Sequence, residues 1–127
     1  MREMKNKNVW KKLMANIKYS MGRNKVSGRP VKEIAISGED LKDIFDEQEG
    51  KCYWSNLPLN EDYNFIKHHP FAMSVDRLDN KLGYTKENIV LTRRIFNLGR
   101  MSFGHDEFKE VVDLLMEEVT EAKKGSE

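Results

Sequence analysis

The chain is short of the residues that lock a fold covalently or anchor it in a membrane. Its single cysteine, Cys52, excludes an intrachain disulfide and most thiolate zinc sites, and favours a reducing, cytoplasmic environment. No apolar run approaches the roughly 18–20 residues of a membrane span, and the polar N-terminus has no signal-peptide core. These shortages predict an intracellular protein with no membrane partner, organised as one domain over residues 1–127.

The chain also lacks a large net charge, yet its charges are strongly segregated. Residues 1–32 hold ten Lys and Arg against one acid, and residues 65–104 hold seven against three. Residues 33–64 and 105–127 are acidic. Two basic segments divided by acidic ones can give the folded molecule a positive face, which is typical of a nucleic-acid-binding protein. The alternative is that these charges only solvate helix faces.

Apolar spacing predicts helices at both ends of the chain. One helix is expected over residues 8–21, followed by a basic loop over residues 22–30. Ser37 is the expected N-cap of a second helix, and Gly50 suits its C′ position. A last helix is expected over residues 105–123. The predicted buried faces are Trp10, Leu13, Met14, Ile17 and Met21, then Leu41, Ile44 and Phe45, and finally Phe108, Val111, Val112, Leu115 and Val119.

The middle of the chain predicts strands. Residues 34–36 form a short apolar run, and residues 72–101 read as a strand, a polar loop with a glycine turn, a second strand and a helix. With an N-terminal helical region over residues 8–50 and a packed C-terminal helix, the predicted fold class is α+β.

Two oxygen donors of the 72–101 unit can face each other across strand and helix. Asp76 lies near the end of the first strand and Asn97 lies in the helix. Mg²⁺ prefers oxygen ligands and is often held by one or two protein groups plus a substrate phosphate. The alternative is an ion pair between Asp76 and Arg77 or Arg93. Asn88 is expected to fix the loop through backbone hydrogen bonds.

The HNH endonucleases, also called the ββα-metal or His-Me finger group, share a pattern with this stretch. The chain resembles them, and most closely the small phage-type HNH proteins, in Ser74-Val75-Asp76-Arg77-Leu78-Asp79, Gly83-Tyr84, Asn88 and Asn97-Leu98-Gly99-Arg100. The resemblance implies a ββα-metal core over residues 72–101 and one Mg²⁺ or Mn²⁺ ion on Asp76 and Asn97. It also implies Asn88 in the active site and cleavage of duplex DNA.

One position departs from the family pattern. Better-known members place a general-base His directly after the metal-binding Asp, where this chain has Arg77. A guanidinium stays protonated, so Arg77 is expected to hold a phosphate or to stabilise developing charge. The base is left open between His68, His69, Asp79 and Tyr84, a water molecule, or no base at all.

The remaining cations are expected to contact DNA phosphates. The predicted contacts are Arg77, Lys81, Arg93, Arg94 and Arg100, together with Arg23, Lys25 and Arg29 of the basic loop. Other family members carry paired Cys-x-x-Cys zinc sites, whereas this chain has only Cys52, so no structural zinc is expected. Its expected aromatic core is Trp10, Phe45, Tyr53, Trp54, Phe96 and Phe108.

These observations predict a metal-dependent DNA endonuclease that hydrolyses phosphodiester bonds. The first alternative is a DNA-binding module that keeps the fold but has lost catalysis, because Arg77 replaces the expected base. The second alternative is a phage or host regulatory protein that binds a protein partner through the acidic C-terminal helix.

Overall fold

The computed structural model describes residues 8–100 and 103–125, and its elements follow the predicted α+β order. The elements are α1 (Val9–Val26), α2 (Gly38–Glu47), β1 (Met73–Arg77), β2 (Ile89–Arg93), α3 (Arg94–Arg100) and α4 (His105–Gly125), with short 3-10 helices at Glu61–Phe65 and Lys86–Asn88. None of the helices in the described ranges combines the length and apolarity needed to span a bilayer.

β1 and β2 form a two-stranded antiparallel sheet in which Asp76 lies opposite Val90. The first four residues of β2 are all buried, so this strand is covered on both faces. α2 packs against β2, while α3 packs against both strands. The sheet and α3 therefore form a hairpin–helix unit, over Met73–Arg100, that α2 supports from one side.

α1 is longer than its apolar pattern predicted. The Asn8 side chain accepts a hydrogen bond from the Lys11 backbone at 3.0 Å and caps the helix. The helix continues through Gly22, where a glycine costs only about 1 kcal/mol relative to alanine. The prediction of a loop over residues 22–30 is therefore wrong for its first half. The buried residues of α1 are Val9, Leu13, Ile17 and Met21, with Trp10 and Met14 half-buried.

α2 begins as predicted and ends one residue away from the prediction. Ser37 caps it, and the Asp40 side chain accepts the Ser37 backbone N–H at 2.9 Å in return. Glu49, with φ of 56°, occupies C′, and Gly50 follows at C″ with φ of 69°. The Gly50 N–H bonds the Phe45 carbonyl at 2.9 Å, which completes a Schellman end.

The strand predicted at residues 34–36 is reduced to one parallel bridge between Ile34 and Tyr84. Two backbone hydrogen bonds hold this contact, from Tyr84 N to Glu33 O at 2.7 Å and from Ala35 N to Tyr84 O at 2.8 Å. The segment therefore closes over the loop of the hairpin rather than adding a strand to its edge.

The predicted buried face of α4 is correct only near the start of the helix. Phe108 and Val112 are buried. Val111 is 45% exposed although its neighbour Val112 is buried, so it lies outside the buried face of the helix. Leu115 and Val119 are 51% and 41% exposed, because the helix runs on past the core. The predicted aromatic core is formed, with Trp54 and Phe108 buried and Trp10, Phe45, Tyr53 and Phe96 packed around them.

Gly83 is required by the close approach of the 33–35 segment. A Cβ at Gly83 would lie 2.7 Å from the Glu33 carbonyl oxygen. We expect Gly83→Ala to lower the free energy of unfolding by about 1–3 kcal/mol, since backbone has to shift. Urea denaturation followed by circular dichroism measures this change.

Gly22→Ala is the matched control, because nothing lies within 4 Å of its added Cβ. It should stabilise α1 by up to about 1 kcal/mol. Equal effects of the two substitutions would contradict the assigned contact between Gly83 and Glu33.

Candidate functional site

Asp76, the predicted metal ligand, is buried, and each of its carboxylate oxygens accepts a hydrogen bond from a protein side chain. It lies on β1 and is only 4% exposed. The Trp54 indole Nε1–H donates to its Oδ2 at 2.9 Å, and Arg100 Nη1 donates to its Oδ1 at 2.8 Å. Of the alternatives open from sequence, an ion pair is the one observed, but its cation is Arg100.

Arg100 is the most heavily bonded side chain near this acid. Its guanidinium also donates to the carbonyl oxygens of Arg77 at 2.6 Å, Leu78 at 2.7 Å and Phe103 at 3.1 Å. It is 3% exposed and lies over the Trp54 ring at 5.4 Å. Predicted as a phosphate contact, Arg100 is instead a buried structural cation.

Burial raises the pKa of Asp76, while hydrogen bonds from Trp54 and Arg100 and the positive charges of Arg100 and Arg77 oppose that shift. A buried carboxylate of this kind depends on its counter-charge, because an unpaired charge in the interior is very costly. Removing either Asp76 or Arg100 alone is therefore expected to destabilise the fold.

This arrangement does not fit a divalent metal ion on Asp76 and Asn97. A metal ion at Asp76 would lie beside a guanidinium that already neutralises the carboxylate. The Asn97 amide nitrogen donates to Ser74 Oγ at 2.7 Å and to the Val75 carbonyl at 3.4 Å, which turns one end of the amide to β1. We therefore derive no reaction step through a metal ion in this arrangement.

Arg77 and Asn88 both stabilise the hairpin loop. Arg77 Nη1 donates to the carbonyls of Asn80 and Leu82 at 2.9 and 2.8 Å, and its guanidinium lies 5.1 Å from the Tyr84 ring centroid. Asn88 Oδ1 accepts the Asp79 backbone N–H at 2.9 Å. Its amide nitrogen donates to the carbonyls of Asp79 and Gly83 at 3.1 and 2.9 Å. The backbone-binding role predicted for Asn88 is confirmed.

A groove of about 680 Å³ lies beside the hairpin–helix unit, between α1, the segment 64–69, β1 and α3. His68, His69 and Asn97 are brought together on its walls, with Tyr84 deeper inside. Asp76, Arg77 and Asp79 are not among the described residues that line it. The groove therefore contains the histidines and Asn97 of the predicted site, whereas Asp76 and Asp79 lie outside it.

The two histidines differ in their surroundings. His69 Nδ1 accepts the Phe71 backbone N–H at 3.0 Å, so a neutral His69 carries its proton on Nε2. Its free ring nitrogen is then a donor rather than a base. His68 is exposed and holds a positive φ of 57°, which is uncommon for a residue other than glycine. Of the two, His68 is the better candidate for a proton acceptor.

The other predicted phosphate contacts are scattered. Arg94 lines the groove, whereas the Arg93 guanidinium donates to the Pro58 carbonyl through Nε and Nη2 at 3.1 and 2.9 Å. Lys81 lies exposed on the hairpin loop. Arg23 and Lys25 belong to the last turn of α1, and Arg29 donates to Ser27 Oγ at 3.0 Å. Lys12 and Lys67, which line the groove, were missed in the sequence because no motif includes them.

Two polar residues that hold the unit were also missed. The Gln48 side chain accepts Leu91 N–H at 2.9 Å and donates to Leu91 O at 2.8 Å. Asn64 does the same for Met73, at 2.9 and 3.0 Å. Asn64 lies in the 3-10 helix over Glu61–Phe65 and Gln48 is the C-cap of α2, and no sequence pattern pointed to a partner for either side chain.

Removing Arg100 tests the buried pair. We expect Arg100→Met to lower the free energy of unfolding by about 3–5 kcal/mol at neutral pH, because it leaves the Asp76 carboxylate buried without a counter-charge. The loss should shrink as pH falls through the raised pKa of Asp76, since a protonated carboxyl needs no cation. Urea denaturation at several pH values measures both effects.

Arg94→Met, at the opposite end of α3, is the control and should cost less than about 1 kcal/mol with no such pH dependence. If Arg100→Met and Arg94→Met gave the same small loss at every pH, the buried pair would have no such role.

Comparison of the chain with protein-family models, with curated proteins and with solved structures found no match.

Proposed function

We propose that the groove binds the sugar–phosphate backbone of DNA and that the chain is a DNA-binding protein built on an HNH-like hairpin–helix unit. One observation carries this proposal. Among the described residues that line the groove, three are Lys or Arg, two are His and none is acidic. The whole chain has 21 acidic residues against 22 basic ones, so a groove wall free of carboxylates is a marked local excess of positive charge.

The cations stand on different walls of the groove. Lys12 comes from α1, Lys67 from the segment before β1, and Arg94 from the first residue of α3. Cations spread around a groove can follow a chain of phosphates, whereas a single cluster would suit one small anion. The Nε2–H of a neutral His69 and the Asn97 amide add polar groups that can hydrogen-bond phosphate oxygens.

The buried state of Asp76 also supports binding rather than catalysis as the function that this geometry serves. Arg100 supplies the positive charge that a metal ion would otherwise bring to this acid. Arg77 stands where a base was expected and supports the loop instead. Side chains of the hairpin–helix unit thus hold its own strand ends and loop.

DNA binding should be strongly dependent on salt. Fluorescence anisotropy of a labelled 20-base-pair duplex, titrated with the protein at several KCl concentrations, gives the slope of log K against log[KCl]. We expect Lys12→Ala, Lys67→Ala and Arg94→Ala each to weaken binding and to reduce the magnitude of that slope by about 1.

Lys123→Ala, which removes an exposed cation at the end of α4, should leave both affinity and slope unchanged. DNA binding that does not depend on salt, or an affinity that falls equally in all four variants, would refute the proposed role of the groove in DNA binding.

A second candidate is metal-dependent DNA hydrolysis of the HNH type. The observation that favours it is the meeting of His68, His69 and Asn97 in the groove that we assign to DNA. A divalent ion would supply charge at the scissile phosphate. To bind this ion, the protein would have to release Asp76 from Arg100 or to supply another ligand.

Incubation of supercoiled plasmid with the protein and Mg²⁺ or Mn²⁺ tests this candidate. If it is correct, His68→Ala should slow nicking by about 10²–10⁴-fold while salt-dependent binding remains. Asn97→Ala should abolish nicking with either metal, because this candidate makes Asn97 a metal ligand. Tight DNA binding without nicking in the presence of either metal would support the DNA-binding function and exclude hydrolysis.

A further inference from the structure

Four neighbouring side chains lie at the rim of the groove and form what we call the aromatic cluster: Tyr63, His69, Phe71 and Arg93. The Tyr63 and His69 rings are stacked, with centroids 4.0 Å apart and planes at 20°. The Phe71 ring lies 5.6 Å from His69 and 6.1 Å from Tyr63. The Arg93 guanidinium lies over Phe71 at 4.4 Å. The cluster thus combines three rings with one cation.

The cluster is held rigidly although it is near the surface. Two N–H groups of Arg93 donate to the same Pro58 carbonyl, which fixes the plane of the guanidinium over the ring. The Phe71 backbone donates to His69 Nδ1, which fixes the imidazole. Phe71 nevertheless remains 40% exposed. An aromatic ring that is oriented by its neighbours but not covered by them is suited to receive another flat group.

The cluster is continuous with the groove. His69 belongs to both, since its ring lines the groove and contacts Tyr63 and Phe71. Arg94, on the groove wall, donates its backbone N–H to the Ala72 carbonyl at 2.8 Å, one residue after Phe71. This bond places the start of α3 next to the residue that follows Phe71.

We propose that the aromatic cluster is a stacking platform for an unpaired DNA base, with Phe71 as the contact ring. This proposal rests on the DNA-binding groove and specifies which DNA that groove prefers. A base inside a duplex is stacked on both sides, so only an unpaired base, in a single strand or a bulge, can offer its face to Phe71. Arg93 strengthens the platform, because a cation beside a stack of rings interacts favourably with their faces.

Anisotropy titrations with three labelled probes test the proposal: a 20-base-pair duplex, the same duplex with one bulged 2-aminopurine, and the corresponding single strand. We expect the wild-type protein to bind the bulged duplex about five- to a hundredfold more tightly than the intact one, the range that one base–aromatic stack provides. The 2-aminopurine fluorescence should be quenched on binding. Phe71→Ala should remove both the preference and the quenching, and Phe71→Trp should restore them.

Ile95→Ala is the control, because Ile95 is also exposed near the rim, at 47%, and its backbone bonds the Pro70 carbonyl. It should keep the preference for the bulge. If the wild-type protein binds all probes in a salt-dependent way but shows neither preference nor quenching, the stacking platform is refuted. The proposed DNA-binding role of the groove would still stand. Failure to bind any probe would overturn the proposed function itself. Preference for the single strand alone would assign the platform to unpaired strands rather than to bulges.

Discussion

The guanidinium of Arg100 is the interaction on which the hairpin–helix unit depends. It joins the end of β1, the end of α3 and the connector to α4 through one carboxylate and three carbonyl oxygens. Two of the carbonyls belong to the consecutive residues Arg77 and Leu78, and the third belongs to Phe103 after α3, so the cation fixes these two backbone segments relative to each other. Trp54 completes the arrangement by bonding Asp76 and lying against the guanidinium, which links the unit to the segment after α2.

Side-chain amides hydrogen-bond the backbone groups at the edges of the sheet, as neighbouring strands do in larger proteins. A two-stranded hairpin is marginally stable alone, and its outer edges present unpaired backbone groups. Gln48 pairs with Leu91 and Asn64 pairs with Met73, each through both ends of the amide. Asn88 serves the loop in the same manner. The small sheet thus has polar neighbours on both edges.

Hydrophobic periodicity and capping residues correctly predicted the elements that depend on interactions between residues close in sequence. The helical period located α1, α2 and α4, and the N-cap at Ser37 followed from residue type alone. The partner of Asp76 was not predictable, because Arg77 and Arg93 were nearer in the hairpin than Arg100, which reaches it across 24 residues. Periodicity also showed which side of α4 is apolar but not how far the core extends along it, so Leu115 and Val119 were misplaced. It also placed Val111 in a buried face that proved narrower than the apolar stripe. The meeting of Lys12, Lys67 and Arg94 depends on tertiary packing alone.

The uncovered end of α4 divides the molecule into parts of unequal stability. Beyond Met116 the helix has no buried residue among those described, so its backbone hydrogen bonds depend on helix propensity and on local contacts such as the exposed Glu121–Lys124 ion pair. Helical segments shorter than about 12–15 residues are marginal in water without tertiary support. The amides of this segment therefore exchange with solvent through local opening, while those of β2 exchange only when the core unfolds. α4 joins the slow-exchanging core at Phe108 and Val112 and leaves it within two turns.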